Sequence, residues 1–355
     1  MLVPIDRAHG GLADDELASI GASPADVLDL SVNVNPYGPS PNVTSAIRGA
    51  VVDRYPDPSA SGARRALAEV SRCSPSNVVV GNGAVDLLWT IARVFLSRSE
   101  AALIVEPTFS EFRAAAIATN ARVIEWRARA ESSFAVRLPE IAERALRERA
   151  AVVYLCSPGN PTGVCASSAD IAQFARRVRD SIVVLDQSFL TLSERHFEID
   201  DPLPDNVICV RSLTKAHSIP GLRVGYLLAR EDIAAQIESG RPPWTVSAPA
   251  QAAAVAATRE ADFVAESRAR LLADRARIGH RLASLELTIR PSSTFYSLLR
   301  VGDAAAVRHR LFTRHRVLVR DCSSFGLPDY IRISACAAHE DDRLISAFRA
   351  EVSPC

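Results

Sequence analysis

The sequence predicts an α/β protein in which a large domain holds a mostly parallel, seven-stranded sheet and the C-terminal end forms a smaller α/β domain. Seven short runs rich in β-branched residues lie between residues 77 and 228, and helical patterns separate most of them. This alternation is typical of a parallel sheet covered by helices on both faces. The chain has 355 residues, enough for two domains. We therefore expect ligands to bind at the carboxyl ends of the strands.

The pattern along the first two thirds of the chain defines an arm and a large domain. Residues 1–45 form an arm that belongs to the small domain, with a short helix near residues 14–20. In the arm, apolar residues alternate with Ser31, Asn33 and Asn35. This predicts either an extended piece with its polar side against a partner, or a solvated strand that ends in a Pro/Gly turn. The large domain spans residues 46–240, with strands at 77–80, 101–105, 122–125, 151–155, 182–185, 207–211 and 224–228 and helices at 85–96, 111–119, 138–149 and 168–179.

The last third of the chain predicts the small domain, residues 241–355. Arg241-Pro-Pro-Trp244 interrupts the preceding pattern, and a long helical stretch rich in alanine and arginine follows at residues 248–285. Beyond it, the order strand, strand, helix, strand, strand, helix is predicted at residues 287–290, 295–299, 304–314, 317–320, 330–334 and 341–352.

Composition excludes several classes of function. The formal net charge is zero, and no block of like charge is present that would bind nucleic acid or an anionic membrane. The apolar runs are too short for a signal peptide or a membrane helix. The seven cysteines form no Cys-x-x-Cys pair, and the seven histidines show no metal-binding spacing. We expect a cytoplasmic protein without a metal site.

The most informative single residue is Lys215. The chain has 41 lysine and arginine residues, and Lys215 is its only lysine. A guanidinium stays protonated and forms no imine, whereas a desolvated lysine amine can lose its proton and attack an aldehyde. A chain that keeps a single lysine is expected to use it covalently; chance survival in an arginine-rich composition is the alternative. Ser212, Thr214 and Arg223 lie close to it in sequence and suit a phosphate beside the amine.

Two further segments follow predicted strands and complete this chemistry. Gly81-Asn-Gly83-Ala84 opens a helix, so its backbone N–H groups and the positive helix end point at an anion. Such turns are common, and this one indicates a phosphate site only in combination with Ser212, Thr214 and Arg223. Phe109 follows another strand and could stack on a flat heteroaromatic ring, although ordinary core packing explains it equally well.

Asn160 and Asp186 are the strongest of the remaining candidates. Asn160 lies in Ser-Pro-Gly-Asn-Pro-Thr-Gly, a rigid turn from which its amide could donate to a phenolate oxygen. Asp186 ends an apolar strand, where a buried carboxylate requires a partner such as a protonated ring nitrogen. An N-cap is the structural alternative, but no obvious helix follows. One crossover and one strand separate Asp186 from Lys215, so we expect them on neighbouring strand ends.

Taken together, Asn160-Pro-Thr-Gly, Asp186 and Ser-Leu-Thr-Lys215 with Arg223 resemble the fold-type I aminotransferase superfamily, which uses pyridoxal phosphate (PLP). The resemblance covers essentially the whole chain. Within that superfamily, His9-Gly-Gly, Arg54-Tyr-Pro-Asp and Ile219-Pro-Gly-Leu-Arg-Val-Gly-Tyr resemble the threonine-phosphate decarboxylases of cobalamin biosynthesis and the related histidinol-phosphate aminotransferases.

The resemblance implies roles for individual residues. Lys215, Asp186 and Asn160 are implied to be catalytic: Lys215 binds the cofactor aldehyde and moves protons, Asp186 pairs with the ring nitrogen, and Asn160 with the 3′-oxygen. The implied cofactor-binding set is Gly83, Ala84, Phe109, Asn160, Asp186, Ser212, Thr214, Lys215, Arg223 and Tyr55. Tyr55 is implied to reach the cofactor phosphate of a neighbouring subunit, which requires a homodimer.

The same resemblance implies a small amino-acid substrate. Arg332 is implied to grip its α-carboxylate, since arginine binds carboxylates bidentately. Arg320, His9 and Asn33 are candidates for a distal phosphate, with surface or structural roles as the alternative. Phe189 stands where relatives usually carry tyrosine, and Phe295 where decarboxylases often carry asparagine; we expect Phe295 to place an apolar ring near the substrate.

Three functions stay open on the sequence. The preferred one is decarboxylation of L-threonine O-3-phosphate to aminopropanol phosphate. An aminotransferase would use the same residues, and only the orientation of the substrate bonds, worth a few kcal/mol, separates the two reactions. A non-catalytic PLP-binding regulator is a distant third, because such regulators carry a DNA-binding segment and this arm is short and carries no block of charge.

Overall fold

The computed structural model describes residues 9–352. Its strands are β1 (Leu28–Asp29), β2 (Val78–Gly81), β3 (Ala101–Glu106), β4 (Arg122–Arg127), β5 (Val152–Cys156), β6 (Ile182–Asp186), β7 (Val207–Ser212), β8 (Gly225–Leu228), β9 (Tyr296–Arg300), β10 (Val317–Leu318), β11 (Arg320–Asp321) and β12 (Tyr330–Ser334). Its α-helices are α1 (Asp14–Ser19), α2 (Pro41–Arg48), α3 (Ser61–Val70), α4 (Ala84–Phe95), α5 (Glu111–Ala118), α6 (Leu138–Glu148), α7 (Ser168–Arg177), α8 (Leu213–Ala216), α9 (Glu231–Ser239), α10 (Ala248–Ala257), α11 (Ala261–Ala283), α12 (Ala304–His315) and α13 (Asp341–Glu351).

The predicted seven-stranded sheet is confirmed. Its strand order is β2-β8-β7-β6-β5-β3-β4. Strands β3 to β7 pair in parallel, whereas β8 is antiparallel to both β2 and β7. The sheet is therefore mostly parallel, as the alternation of strands and helices predicts. Strands β2 to β7 run in one direction, so their carboxyl ends lie at one edge of the sheet.

Alternate side chains of the central strands enter two separate cores. In β3, Ala102 and Ile104 pack into one cluster with α4, α5 and α9, while Leu103 and Val105 pack into another with α6 and α7. A strand buried on both faces shows an unbroken apolar run in the sequence, as residues 101–105 of β3, 182–185 of β6 and 207–210 of β7 do. The sheet is thus a rigid support for the residues at its carboxyl edge.

The C-terminal part forms a second sheet and core. Strands β11, β12 and β9 pair antiparallel, in that order. The arm joins this part of the molecule, because β1 pairs with β10 and the side chains of Leu28 and Leu30 lie in the same cluster as α11, α12 and α13. Helix α10 instead packs on α2 and α3 through a cluster of small alanine side chains.

Three sequence predictions for this region are wrong. Residues 248–285 form two helices, because the chain turns at residues 258–260 between the surface of α2 and α3 and the C-terminal core. Residues 287–290 contribute a single bridge, Ile289 to Leu299, and no strand. Residues 317–320 divide into β10 and the start of β11, because the chain changes partner there from β1 to β12.

The structure excludes one of the two conformations that the sequence left open for the arm. Ser31, Asn33 and Asn35 are buried, so this part of the arm is not a solvated strand. Only Leu28–Asp29 is strand, and the polar residues after it face the interior of the protein. Across residues 9–352, none of the helices combines the length and the hydropathy needed to cross a membrane.

Candidate active site

A cavity of about 420 Å³ lies at the carboxyl edge of the large sheet, between that sheet, the arm and the second sheet. Most of the residues predicted from the sequence meet there; those on its wall include Lys215, Asn160, Phe109, Arg223, Arg320 and Arg332. A second, larger crevice of about 520 Å³ lies between α6 and α7 and contains none of the predicted residues. Within the described residues, no group of three or more His, Cys, Asp and Glu side chains could hold a metal.

Lys215 lies in the one-turn helix α8, directly after β7. Its pKa is lowered to about 8, first by desolvation of the amine and then by the neighbouring guanidinium groups of Arg332 and Arg223. The carboxylate of Asp186 acts in the opposite direction. A lysine in this environment can release its proton near neutral pH, which a nucleophilic amine requires.

Asp186 ends β6, the strand next to β7, as predicted. Its carboxylate is buried and accepts hydrogen bonds from the Tyr154 hydroxyl at 3.1 Å and the Ser188 backbone N–H at 2.9 Å. Burial raises the pKa of Asp186, and these two hydrogen bonds and Lys215 oppose the rise. A carboxylate held in this way is oriented to pair with a cationic ring nitrogen.

A cradle for a phosphate lies at the N-terminus of α4. Gly83 has φ +83°, which residues with a side chain rarely adopt, and a Cβ added there would lie 2.7 Å from Arg223 Nη2, so glycine lets the guanidinium lie close to this turn. A Cβ on Gly225 would lie 2.8 Å from the Ala84 backbone nitrogen. The hydroxyls of Ser212 and Thr214 lie 2.8 Å apart. Backbone N–H groups, hydroxyls and a guanidinium are the groups that bind phosphate.

Asn160 and Arg332 are in direct contact. Arg332 Nη1 donates to Asn160 Oδ1, and Nη2 donates to the backbone carbonyl of Ser31 in the arm. Arg332 is buried, and burial lowers its pKa to about 10. The guanidinium therefore remains protonated at neutral pH and can bind an anion that enters the cavity.

Arg320, Asn33 and His9 also line the cavity. Arg320 stands opposite Arg332 in the β11–β12 pair and donates to Ser324 Oγ at 2.6 Å. The amide of Asn33 is buried, and among residues 9–352 neither its Nδ2 nor its Oδ1 has a hydrogen-bond partner. A buried unpaired amide on a cavity wall is costly and indicates a polar ligand. His9 Nε2 lies 3.2 Å from Glu111 Oε1.

Two predicted positions lie elsewhere. Tyr55 is 80% exposed, outside the cavity, with its ring 5.0 Å from that of Trp244. The prediction that Phe295 lies near the substrate is wrong, because Phe295 is fully buried behind Phe189 and does not line the cavity. Phe189 lines the cavity itself. Phe109 also lies on the wall, 5.6 Å from the His9 ring.

Sequence reasoning missed three contributors. Tyr154 is the polar residue in the buried strand β5, and that exception was the available signal for a partner to Asp186. Glu111 is a buried carboxylate on the cavity wall that accepts from the Trp89 indole N–H at 2.8 Å; its place just after Phe109 was the available signal. The Ser31 carbonyl carries no signal in the sequence, because every residue has one.

These side chains suit one cofactor chemistry: a desolvated amine for an aldehyde, a buried carboxylate for a ring nitrogen and a glycine-lined helix N-terminus for a phosphate. The class of protein that this fold and site define is the fold-type I enzymes that use pyridoxal phosphate. The chain belongs to the class I and II aminotransferase family, because the sequence model described as "Aminotransferase class I and II" matches residues 25–350. Its cofactor is pyridoxal phosphate.

Individual relatives carry two different names. The chain is 32% identical to a histidinol-phosphate aminotransferase of Symbiobacterium thermophilum over 330 residues, covering 92% of this chain and 90% of the relative. It is 31% identical to a threonine-phosphate decarboxylase of Salmonella typhimurium over 355 residues, covering 97% and 96%. Its fold matches that of histidinol-phosphate aminotransferase from Sinorhizobium meliloti in complex with pyridoxal-5′-phosphate, with TM-score 0.85, 26% identity and coverage of 96% and 94%.

The environment of Lys215 leads to a pH prediction for the full-length chain before cofactor is added. Because the pKa of this amine is lowered from 10.5 to about 8, an amine-specific reagent is expected to label Lys215 with a rate that is half-maximal near pH 8. The folded pKa lies below the unfolded one, so this group makes the fold more stable as the pH rises from about 8 to about 10.5.

Peptide mapping after labelling separates this site from the α-amino group, the only other amine in a chain with one lysine. The urea-unfolded chain is the control and is expected to titrate near the ordinary value. A folded chain with the same profile as the unfolded one would contradict the desolvated environment.

Proposed function

We propose that this enzyme acts on an amino acid that carries a phosphate, and that it releases CO2 from L-threonine O-3-phosphate to form aminopropanol phosphate. The observation that carries the proposal is the pair Arg320 and Arg332, two buried arginines opposite each other on β11 and β12 and on the wall of the cavity that holds Lys215. Two buried cations in one small cavity suit a substrate with two anionic groups.

In this proposal the two arginines bind the two ends of the substrate. Arg332 takes the α-carboxylate, because it lies beside Asn160 near the lysine. Arg320 takes the distal phosphate together with Asn33, whose unpaired amide lacks a partner among the described residues, and His9. Holding both ends fixes the rotation about the substrate Cα and therefore which of its bonds can break.

The cofactor and the chain divide the chemistry between them. Bound pyridoxal phosphate supplies an aldehyde for the substrate amine and a ring that withdraws electrons from Cα. We propose that Asp186 keeps the ring nitrogen protonated, that Asn160 contacts the 3′-oxygen, that Phe109 stacks on the ring, and that the cradle of Gly83, Ala84, Ser212, Thr214 and Arg223 holds the phosphate. Lys215 delivers a proton to Cα after CO2 departs.

A second candidate is transamination, with Lys215 removing the Cα proton instead. The observation that favours it is the name histidinol-phosphate aminotransferase carried by the 32% identical Symbiobacterium relative. Phe189 favours decarboxylation in our proposal, since it places a ring without a hydroxyl on the cavity wall where the aminotransferase relatives usually have tyrosine.

The two reactions are separated by their products. The holoenzyme is incubated with L-threonine O-3-phosphate alone, and in parallel with histidinol phosphate plus 2-oxoglutarate. We expect CO2 and a phosphorylated amine in equal amounts from the first mixture, without a need for an oxo acid. Turnover that depends on 2-oxoglutarate, with formation of glutamate and no CO2, would replace this proposal with the second candidate.

The division of labour between the arginines predicts the effect of two substitutions. Arg320→Gln is expected to raise KM for L-threonine O-3-phosphate by roughly 10- to 100-fold, the range for losing hydrogen bonds to a charged group. The same variant is expected to change the slow turnover of unphosphorylated L-threonine by less than about threefold. Arg332→Gln is expected to impair both substrates, because both carry the carboxylate.

Arg300→Gln is the matched control, since Arg300 lies at the end of neighbouring strand β9 with its side chain half exposed and 3.9 Å from Asp329. It is expected to leave both KM values unchanged. Equal losses on both substrates in Arg320→Gln would remove Arg320 from the phosphate site.

We also propose that two copies of the chain pair through the exposed apolar face formed by Val51, Val52, Tyr55 and Trp244. Three large exposed side chains lie within residues 51–55, and the exposed Trp244 ring is 5.0 Å from that of Tyr55, which is unusual for an isolated chain. In such a homodimer Tyr55 reaches the cofactor phosphate of the neighbouring subunit.

We also propose that the enzyme acts in the cytoplasm, because free thiols such as Cys73 and Cys165 fit a reducing compartment.

A further inference from the structure

The helix that carries Lys215 is a single turn, Leu213–Ala216, so it cannot satisfy its own last carbonyls. The carbonyls of Leu213 and Thr214 accept from the backbone N–H groups of His217 and Ile219, both at 3.2 Å. The carbonyls of Lys215 and Ala216 are satisfied differently. Their donors come from a residue about 180 positions earlier in the chain.

That residue is Asn35 in the arm. Its backbone N–H donates to the Lys215 carbonyl at 3.1 Å, and its side-chain Nδ2 donates to the Ala216 carbonyl at 3.0 Å. Its own carbonyl accepts from Ser218 Oγ at 2.5 Å. Asn35 therefore forms three hydrogen bonds with residues 215–218 and closes the C-terminal end of α8 from outside the helix.

Asn35 is itself fixed in place. The residue is buried, and its Oδ1 accepts from the Tyr37 backbone N–H at 3.1 Å. The Tyr37 hydroxyl donates to Asp274 on α11, and the guanidinium carbon of Arg270 lies 3.6 Å from the centre of the Tyr37 ring. The cap on α8 is thus anchored to the longest helix of the C-terminal part.

We propose that Asn35 is a positioning residue for Lys215, which it holds in place by capping the carbonyls of Lys215 and Ala216. An isolated helical turn is unstable in water, so the backbone of α8 depends on outside contacts. The lysine amine lies at the end of a flexible four-carbon chain, and its placement requires a fixed backbone. The inference applies to either proposed reaction, because both need the amine beside the substrate Cα.

The arm therefore supports two different groups of the site. Besides capping α8 through Asn35, it accepts a hydrogen bond from Arg332 through the Ser31 carbonyl. Ser31 is held by the carboxylate of Asp29, which accepts from its backbone N–H at 2.8 Å and its hydroxyl at 2.6 Å. Loss of the Asn35 cap leaves this second connection intact, so the two contributions can be tested separately.

Asn35→Ala removes the side-chain cap and leaves the Ala216 carbonyl without its partner. The charged groups that act on the lysine amine are Asp186 on β6, Arg223 before β8 and Arg332 on β12, and the substitution changes none of them. Any change in the titration of Lys215 therefore reports a displacement of its backbone. We expect the midpoint of amine labelling in the full-length chain to rise by at least about half a unit towards the ordinary lysine value, as the amine gains water.

The holoenzyme gives the second measurement. Asn35→Ala is expected to lower kcat by about 10- to 100-fold with little change in KM, the scale on which misplacement of a reacting group acts. Asn42→Ala is the matched control, because Asn42 also lies in the arm, at the start of α2, but its side chain donates to Glu260 at 2.8 Å. It is expected to leave both the labelling profile and kcat unchanged.

A fall in kcat with an unchanged labelling profile would overturn the proposal, since a merely structural effect of Asn35 would leave the amine where it is. An unchanged kcat would overturn it as well.

If Asn35→Ala fails to fold, Ser218→Ala removes only the donor to the Asn35 carbonyl. That variant is expected to shift the labelling midpoint in the same direction by less, and an unshifted midpoint would contradict the positioning role. A holoenzyme with no activity on any tested substrate would overturn the proposed function, while the labelling result would still decide the role of Asn35.

Discussion

Lys215→Arg is expected to lower kcat by about 10³-fold or more, which is the largest single effect we predict. Arginine keeps the positive charge and nearly the same length. Its guanidinium does not lose a proton and does not form a carbon–nitrogen double bond with an aldehyde. The effect is measured as CO2 release from L-threonine O-3-phosphate by variant protein supplied with excess pyridoxal phosphate.

The comparison of Lys215→Arg with Lys215→Ala separates charge from covalent chemistry. We expect both variants to be inactive within the limits of the assay, and a cooperative melting transition in each checks that the variant is folded. Retention of more than about a tenth of the parent kcat by the arginine variant would show that the amine is not used as a nucleophile.

Asp186→Asn is expected to lower kcat by about 10²- to 10³-fold, as for the loss of one preorganised electrostatic partner. An amide has nearly the same size but no charge to keep a ring nitrogen protonated. Because the Tyr154 hydroxyl orients the Asp186 carboxylate from 3.1 Å, Tyr154→Phe is expected to show a smaller loss, about tenfold. Both are measured as kcat with saturating substrate and cofactor.

Asp180→Asn is the control for the aspartate prediction. Asp180 precedes the other end of β6, and its side chain is 92% exposed, so its replacement is expected to leave kcat unchanged. If Asp186→Asn retained parent activity, the carboxylate at the end of β6 would be a structural group, and the proposed pairing with the ring nitrogen would be withdrawn.

The large sheet could be predicted from the sequence, because the signal for each strand lies within the strand and the turns beside it. Most of its seven strands are short apolar runs bounded by turns or helices, and every predicted strand corresponds to an observed one within one or two residues. The C-terminal part was harder to predict because its boundaries depend on partners. No glycine or proline marks the turn between α10 and α11, and nothing local shows that the chain changes sheet at Val319.

In the candidate site, too, some residues could be predicted from local sequence and others could not. Lys215 and Asp186 could be predicted because each is exceptional where it stands: the only lysine, and a carboxylate at the end of an apolar strand. The contacts that hold the site together could not. The cap from Asn35 to α8 and the contact from Ser31 to Arg332 join segments about 180 and 300 residues apart. Such pairings appear only when the fold brings the arm to the cavity.

Reduction of the holoenzyme with borohydride, followed by peptide mapping, tests most directly whether Lys215 binds the cofactor covalently. Borohydride converts a carbon–nitrogen double bond between lysine and cofactor into a stable single bond. Trypsin does not cut after a modified lysine, so we expect a single labelled peptide covering residues 212–223, with the cofactor on Lys215. Absence of a labelled peptide, or a label on any other residue, would contradict it.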